Sequence, residues 1–109
     1  MAYPENADIL VKIKRIVLRG DFIFTEKAAV EMEQDGLTEE MVSESVMNAP
    51  AIFKKLRSKN PRTGSREKLY VIIGITFDGL PIYTKGKIAK RKDKEFFYVY
   101  ISSKRSQAT

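Results

Sequence analysis

The chain has 109 residues, a formal net charge of +6, and neither cysteine nor histidine. This length suits a single domain over residues 1–109. The two missing residue types exclude disulfides, thiolate zinc sites and histidine-dependent catalysis. Apolar residues make up 43% of the chain and charged residues 31%, as in ordinary globular proteins. The short apolar runs and the N-terminal residues predict a cytoplasmic protein that does not interact with membranes, and we expect no metal and no cofactor.

Charge is distributed unevenly along the chain. Residues 26–45 hold one lysine against seven acids, a net charge of −6. Residues 54–68 hold seven bases against one acid, and residues 85–105 hold eight against two, so each segment carries +6. The second half of the chain could therefore attract a polyanion, although lysine-rich solvated loops would give the same pattern.

The first half of the sequence predicts helices. Apolar residues between Ile9 and Val17 form one helical stripe, and Gly20 is expected just past the end of that helix. Thr25 and Thr38 are typical N-caps, each followed by glutamate, and predict helices to about residues 34 and 48. Residues 22–24 (FIF) are expected to be only an extended link. The helical part therefore spans about 5–49.

After Pro50 the pattern changes to that of strands. Strands are predicted over 51–56, 68–77, 81–90 and 95–103, with residues 57–67 as a basic loop and Asp78-Gly79 as a hairpin turn. We therefore expect an α+β domain in which two to three N-terminal helices pack on one face of a three- to four-stranded antiparallel sheet (about 51–103), with a frayed tail over 106–109.

The alternation of strand side chains predicts which face remains open. We expect the helices to cover the apolar sets that include Val71 and Val99. The open face would then show tyrosines and lysines, a surface suited to phosphates and unpaired RNA bases. The members expected there are Tyr70, Tyr83, Lys85, Lys87, Tyr98 and Tyr100. Cross-strand pairing and protection of an exposed sheet would explain the same residues without RNA.

Several motifs together resemble the bacterial MqsR-type mRNA-interferase toxins. They are the segment LRGDFIFTEKAAVEMEQDGLTEEMVSESV, the FKK that follows it, a hairpin carrying IYTKGK, and a last strand ending ISSKRS. These toxins belong to the RelE/ParE-like superfamily, which also includes BrnT toxins and a related family of unknown function. The resemblance covers roughly residues 8–105. It implies a RelE/ParE-like fold, metal-independent endoribonuclease activity and a cognate antitoxin protein as partner.

The resemblance also implies site residues. The family's active-site positions fall on Lys55, with Lys54 beside it, on Tyr83 with Lys85 two residues on, and on Lys104. A glutamine that the family places before the central strand has no counterpart here. The chemistry adds Arg105, because metal-free RNA cleavage needs positive charge at the phosphorane and a group that transfers protons. Tyr83 and Glu67 are alternatives for proton transfer. The remaining predicted RNA contacts are Lys54, Arg57, Arg66, Lys87, Tyr98 and Tyr100.

Three functions are compatible with these patterns. The chain is predicted to be an endoribonuclease toxin of a type II toxin–antitoxin pair that uses lysine, arginine and tyrosine. The alternatives are a nucleic-acid-binding module without catalysis and a protein-interaction domain that docks through its acidic helices or an exposed strand edge.

Overall fold

The computed structural model describes residues 4–59, 61–64, 66–93 and 95–107, with the backbone alone for residues 4–6. In that part of the chain the fold is α+β, with three helices followed by most of the sheet. The helices are α1 (Pro4–Leu18), α2 (Glu26–Asp35) and α3 (Glu39–Asn48). The strands are β1 (Phe22–Phe24), β2 (Lys54–Lys59), β3 (Arg66–Ile75), β4 (Pro81–Lys90) and β5 (Phe96–Arg105). None of the described helices is long and apolar enough to cross a membrane.

The helix boundaries follow from local capping. The Thr25 hydroxyl accepts a hydrogen bond from the Ala28 amide, and the Thr38 hydroxyl accepts one from the Met41 amide. Helix α2 ends at Gly36, whose φ of 68° is in the left-handed region that glycine adopts without strain. The predicted helices are therefore confirmed at both caps.

The sheet is mixed rather than antiparallel. Its strand order is β1-β5-β4-β3-β2, and β1 pairs in parallel with β5, Phe22 opposite Tyr98 and Phe24 opposite Tyr100. The prediction that residues 22–24 form only a link is wrong, because the edge of β5 supplies hydrogen-bond partners for so short a segment. The α+β class is confirmed, and the expected three- to four-stranded antiparallel sheet is corrected to five strands.

The β2–β3 hairpin is longer than predicted. Strand β2 begins and ends three residues later than expected, and β3 starts at Arg66, so both ends of the predicted basic loop, residues 57–59 and 66–67, are strand. At the other end of the sheet, the Ser106 amide donates to the Pro81 carbonyl at 3.0 Å. Of the tail predicted for 106–109, residue 106 is thus held to β4, and residues 108–109 lie outside the described residues.

The helices cover the face of the sheet opposite to the one that the sequence predicted for β3 and β5. Tyr98 and Tyr100 are fully buried, and Tyr70 is 5% exposed, whereas Ile75 is 53% exposed. The buried core joins helix residues with this one face, called here the covered face. Its main sheet residues are Tyr70, Ile72, Ile82, Thr84, Tyr98 and Tyr100. The other face, called the open face, contains the alternate residues, including Val71, Ile73, Tyr83, Lys85 and Val99.

Two glycines explain why the tyrosine side is the covered one. A Cβ on Gly74 would lie 1.7 Å from the Ser45 backbone oxygen, so glycine lets α3 approach β3 closely. A Cβ on Gly86 would lie 2.5 Å from atoms of the Tyr98 ring, so the missing side chain leaves the space that this ring fills. The helices can therefore pack closely only on the face of the sheet on which these two glycines lie.

One residue of β5 is out of register with β4. Lys85 pairs with Ser102 and Gly86 pairs with Tyr100, so Ile101 has no partner and forms a β-bulge. Because side chains alternate, the bulge reverses the sides of all residues after it. Lys104 consequently lies opposite Tyr83 on the open face, and Arg105 lies opposite Ile82 on the covered side.

Candidate functional site

The open face brings together three of the residues predicted to be catalytic. Tyr83 and Lys104 are direct cross-strand partners, and the Lys104 ammonium lies 5.4 Å from the centre of the Tyr83 ring. Lys85 is two residues from Tyr83 on the same side of β4. Val71 pairs with Lys54 on β2 and with Lys85 on β4. Because directly paired residues lie on the same face, Lys54 is also on the open face. This group, called the open-face cluster, consists of Lys54, Tyr83, Lys85 and Lys104.

Helix α2 anchors one end of this cluster. The Lys104 ammonium is 4.0 Å from the Glu31 carboxylate, which also lies 3.7 Å from the Lys27 ammonium. Glu31 accepts hydrogen bonds from the Ser102 hydroxyl at 2.7 Å and from the Ser103 amide at 3.2 Å. The carboxylate thus has several donors around it and holds the edge of β5 that β1 does not cover against α2.

Two residues predicted to be catalytic lie apart from the cluster. Lys55 pairs with Tyr70 and is therefore on the covered side of the sheet. The Arg105 amide donates to the Asp35 carboxylate at 2.8 Å, and its Nε donates to the Asp35 carbonyl at 3.1 Å. Arg105 is thus joined to the end of α2, on the side of the sheet opposite Tyr83.

Tyr98 and Tyr100 are not on the open face, so that prediction is wrong for both. Their rings pack edge to face at 5.0 Å, and the Tyr100 ring stacks on Phe24 at 4.6 Å. Burial raises the pKa of the Tyr98 hydroxyl well above its usual range, and the neighbouring Tyr100 and Tyr70 raise it further. Burial also raises the pKa of Tyr100, although the nearby Ser43 hydroxyl opposes this without reaching hydrogen-bond geometry. Neither ring is accessible to a nucleobase.

Lys87, predicted as an RNA contact, forms an ion pair with Glu67 on the adjacent strand. Its side chain is 30% exposed and that of Glu67 is 26% exposed. Glu67, the alternative for proton transfer, is therefore engaged by Lys87 rather than by the open-face cluster. This leaves Lys54, Lys85 and Lys104 as the lysines through which the open face could contact an anion.

The β2–β3 hairpin forms a second basic surface. Strand pairing places Arg57 opposite Lys68 and Lys59 opposite Arg66, and alternation puts all four on the same side as Lys55. We call this set the cationic stripe; its members are Lys55, Arg57, Lys59, Arg66 and Lys68. Lys55 is half-buried and the other four are exposed, so the helices do not cover this end of the sheet.

Acidic residues do not neutralise the stripe. Among the described residues, none of its five members has a carboxylate within 4.0 Å. A cleft of about 310 Å³ beside it is lined by Arg66, Lys68, Tyr70 and Ile88, together with the ion-paired Lys87 and Glu67. Burial raises the pKa of the Tyr70 hydroxyl, which keeps that group a neutral hydrogen-bond donor.

Sequence reasoning found members of this stripe but not the stripe itself. Lys55, Arg57 and Arg66 were predicted as site residues, whereas Lys59 and Lys68 were not. Residues 57–67 were expected to be a loop, so the pairing of Arg57 with Lys68 and of Lys59 with Arg66 could not be predicted. The alternation of bases at 55, 57 and 59, and again at 66 and 68, was the available signal.

No group of three or more potential metal ligands occurs among the residues that the structure describes. Comparison of the chain with protein-family models, with curated proteins and with solved structures finds no match. The likeness to the MqsR-type toxins therefore depends on the sequence motifs alone.

Proposed function

We propose that this protein binds RNA through the cationic stripe of the β2–β3 hairpin. The observation that carries the proposal is the direct pairing of like charges, Arg57 with Lys68 and Lys59 with Arg66. Directly opposed like charges destabilise a sheet, by roughly 0.2–1 kcal/mol for each pair on the usual scale of cross-strand interactions. A polyanion that lies along the hairpin would remove this repulsion.

The shape of the surface also suits a phosphate backbone. Lysine and arginine alternate along both strands on one side, so their charges follow the hairpin as a line. Single-stranded RNA has a flexible backbone that can follow such a line, and its affinity arises largely from release of counterions. The stripe supplies five such contacts.

Salt dependence tests this proposal quantitatively. For single strands the slope of log affinity against log salt is about −0.7 per neutralised phosphate, so five contacts predict a slope of about −3.5. The double variant Arg57→Gln/Lys68→Gln should lower the affinity and reduce the slope to about −2.1. Fluorescence anisotropy with a labelled RNA of about 12 nucleotides, between about 50 and 200 mM salt, measures both.

A matched control removes the same charge elsewhere. Lys27→Gln/Lys92→Gln changes an exposed lysine of α2 and one in the β4–β5 turn, neither of which belongs to the stripe or to the open-face cluster. It should leave the slope closer to that of the wild type. Equal losses in the two double variants would show that net charge, not the stripe, determines binding, and salt-independent affinity would contradict the proposal altogether.

A second candidate function is metal-independent RNA cleavage at the open-face cluster. The pairing of Tyr83 with Lys104, with Lys85 on the same side, favours it. In this reaction the 2′-oxygen attacks phosphorus, the bond to the 5′-oxygen breaks, and a 2′,3′-cyclic phosphate remains. Lys85 and Lys104 would stabilise the charge on the phosphorane, and Tyr83 would donate a proton to the departing 5′-oxygen. The proton of the 2′-hydroxyl passes to water, and solvent reprotonates Tyr83.

Cleavage is tested by incubating RNA with the protein in EDTA and analysing the ends of the products. Lys104→Ala and Tyr83→Phe should each abolish most of the cleavage, whereas Lys55→Ala, on the opposite side of the sheet, should weaken binding but leave cleavage of saturating RNA unchanged. Intact RNA with the wild type refutes this second function. Cleavage that is the same in all four proteins would come from a contaminant and would refute it equally.

A further inference from the structure

A further cleft lies away from the cationic stripe and the open-face cluster. It has a volume of about 520 Å³ and lies between α1 and Phe96 at the start of β5. A volume of this size is within the usual range of small-ligand sites. Its lining includes Lys12 and Arg15, one turn apart on α1, and Arg19, which follows the last residue of that helix.

Two of these cations have no acidic partner. Among the described residues, Lys12 and Arg15 lie more than 4.0 Å from every carboxylate, whereas Arg19 pairs with Asp21 at 3.1 Å. Arg19 also donates to the Phe96 carbonyl at 3.4 Å. Asp8 lines the cleft too, and Asp21 compensates Arg19, so these cations exceed the acids by one charge. The cleft can therefore accept about one phosphate group.

Phe96 presents its ring to this cleft. The Lys12 ammonium lies 3.7 Å from the centre of the ring, and the Lys90 ammonium lies 5.6 Å from it. The π face of the ring is therefore reachable by a charged group from solvent. A nucleobase could stack there in place of the Lys12 ammonium, which would then be free to pair with a phosphate.

Lys90 connects this cleft to the cationic stripe. It pairs with Phe96, and Ile88, two residues before it on the same side of β4, pairs with Tyr98. Ile88 also lines the cleft that contains Arg66 and Lys68. Basic side chains thus lead along one side of the sheet from the hairpin, through Lys90, to α1.

We propose that a single RNA strand bound on the cationic stripe continues into this cleft, where one unpaired nucleotide stacks its base on Phe96 and places its phosphate between Lys12 and Arg15. The inference depends on the proposed RNA binding. It adds a position that contacts a base to a surface that otherwise contacts only the RNA backbone. It also extends the path of the bound RNA beyond the β2–β3 hairpin.

The decisive test compares ordinary RNA with abasic RNA of the same length. Phe96→Leu keeps an apolar side chain but removes the aromatic face. It should weaken binding of ordinary RNA by about 5- to 100-fold and leave the affinity for abasic RNA unchanged. Phe97→Leu is the matched control, because Phe97 is the next residue of β5, on the other face, beneath Arg91. It should not alter either affinity.

A second variant tests the same cleft without changing a residue that packs against the core. Arg15→Gln changes an exposed residue on the surface of α1 and should reduce the salt slope by about 0.7 for ordinary RNA. This inference would be overturned if Phe96→Leu bound RNA with wild-type affinity and Arg15→Gln left the salt slope unchanged. The proposed function would still stand if binding continued to depend on the stripe. Equal losses in Phe96→Leu and Phe97→Leu would also overturn it. Absence of RNA binding by the wild type would overturn both.

Discussion

Replacing Glu31 with alanine should destabilise the protein substantially. The substitution removes the acceptor of the Ser102 hydroxyl and the Ser103 amide, and these two residues are 1% and 0% exposed. A buried donor without a partner costs about 1–3 kcal/mol, and the serine hydroxyl can rotate toward another acceptor whereas the amide cannot. We therefore expect a loss of about 2–4 kcal/mol in the free energy of unfolding, and a fall in Tm of at least about 8 °C.

Two further variants separate hydrogen bonding from charge. Glu33→Ala removes the same charge from an exposed position of α2 and should change stability by no more than about 0.5 kcal/mol. Glu31→Gln keeps an oxygen that can accept both hydrogen bonds and loses only the partly exposed ion pairs to Lys27 and Lys104, so about 1 kcal/mol or less is expected. Urea unfolding of the three variants measures these values. A Glu31→Ala protein as stable as Glu33→Ala would refute the idea that this carboxylate satisfies the edge of β5.

Two other predictions concern the buried tyrosines. Gly86→Ala should lower the free energy of unfolding in urea by about 1–3 kcal/mol, because its Cβ would meet the Tyr98 ring at 2.5 Å. Much of that loss should disappear when Tyr98→Leu is added. Purely additive effects of the two substitutions would contradict this packing. Stability should also fall as pH rises above about 10, since unfolded tyrosines then lose protons while buried Tyr98 and Tyr100, with raised pKa values, keep theirs. In alkaline unfolding monitored by tyrosinate absorbance, Tyr98→Phe should flatten this dependence, and an unchanged dependence would show that Tyr98 ionises in the folded chain.

The parts of the fold that local chemistry determines were predictable. Helices α2 and α3 begin at threonine caps and end next to Gly36 and before Pro50, so their limits could be read within a residue or so. The hairpin at Asp78-Gly79 was equally clear. The short strand β1 could not be predicted, because its existence depends on the free edge of a strand more than 70 residues later.

The covered face was predicted incorrectly because apolar character alone was used to choose it. Both faces of β3 are apolar, and the choice between them depends on where helices can approach closely. Gly74 and Gly86 marked that side in the sequence. The faces of the middle strand were predicted correctly, because its open side contains Tyr83, Lys85 and Lys87, whereas its covered side has a charged residue only at its last position, Lys90.

Lys104 lies on the face that was predicted for it, but only because two errors in the prediction cancel. The faces of β5 were reversed, and the bulge at Ile101 reverses them once more for the residues that follow. A bulge of this kind has no signature in this sequence, since Ile101 is a typical strand residue. Arg105, the next residue, lies on the opposite side of the strand by alternation alone, so it could not join Lys104 on one face.

The bulge at Ile101 has a consequence for how this protein can change. Deleting that single residue would remove the bulge but leave Tyr100 opposite Gly86 and Ser102 opposite Lys85, so Lys104 would still lie opposite Tyr83 and Arg105 on the covered side. The extra residue can therefore be lost without changing which cation each surface presents. Relatives of this protein are best aligned here with a one-residue gap in β5, because the same SSKR motif would keep its orientation in a chain that lacks the extra residue.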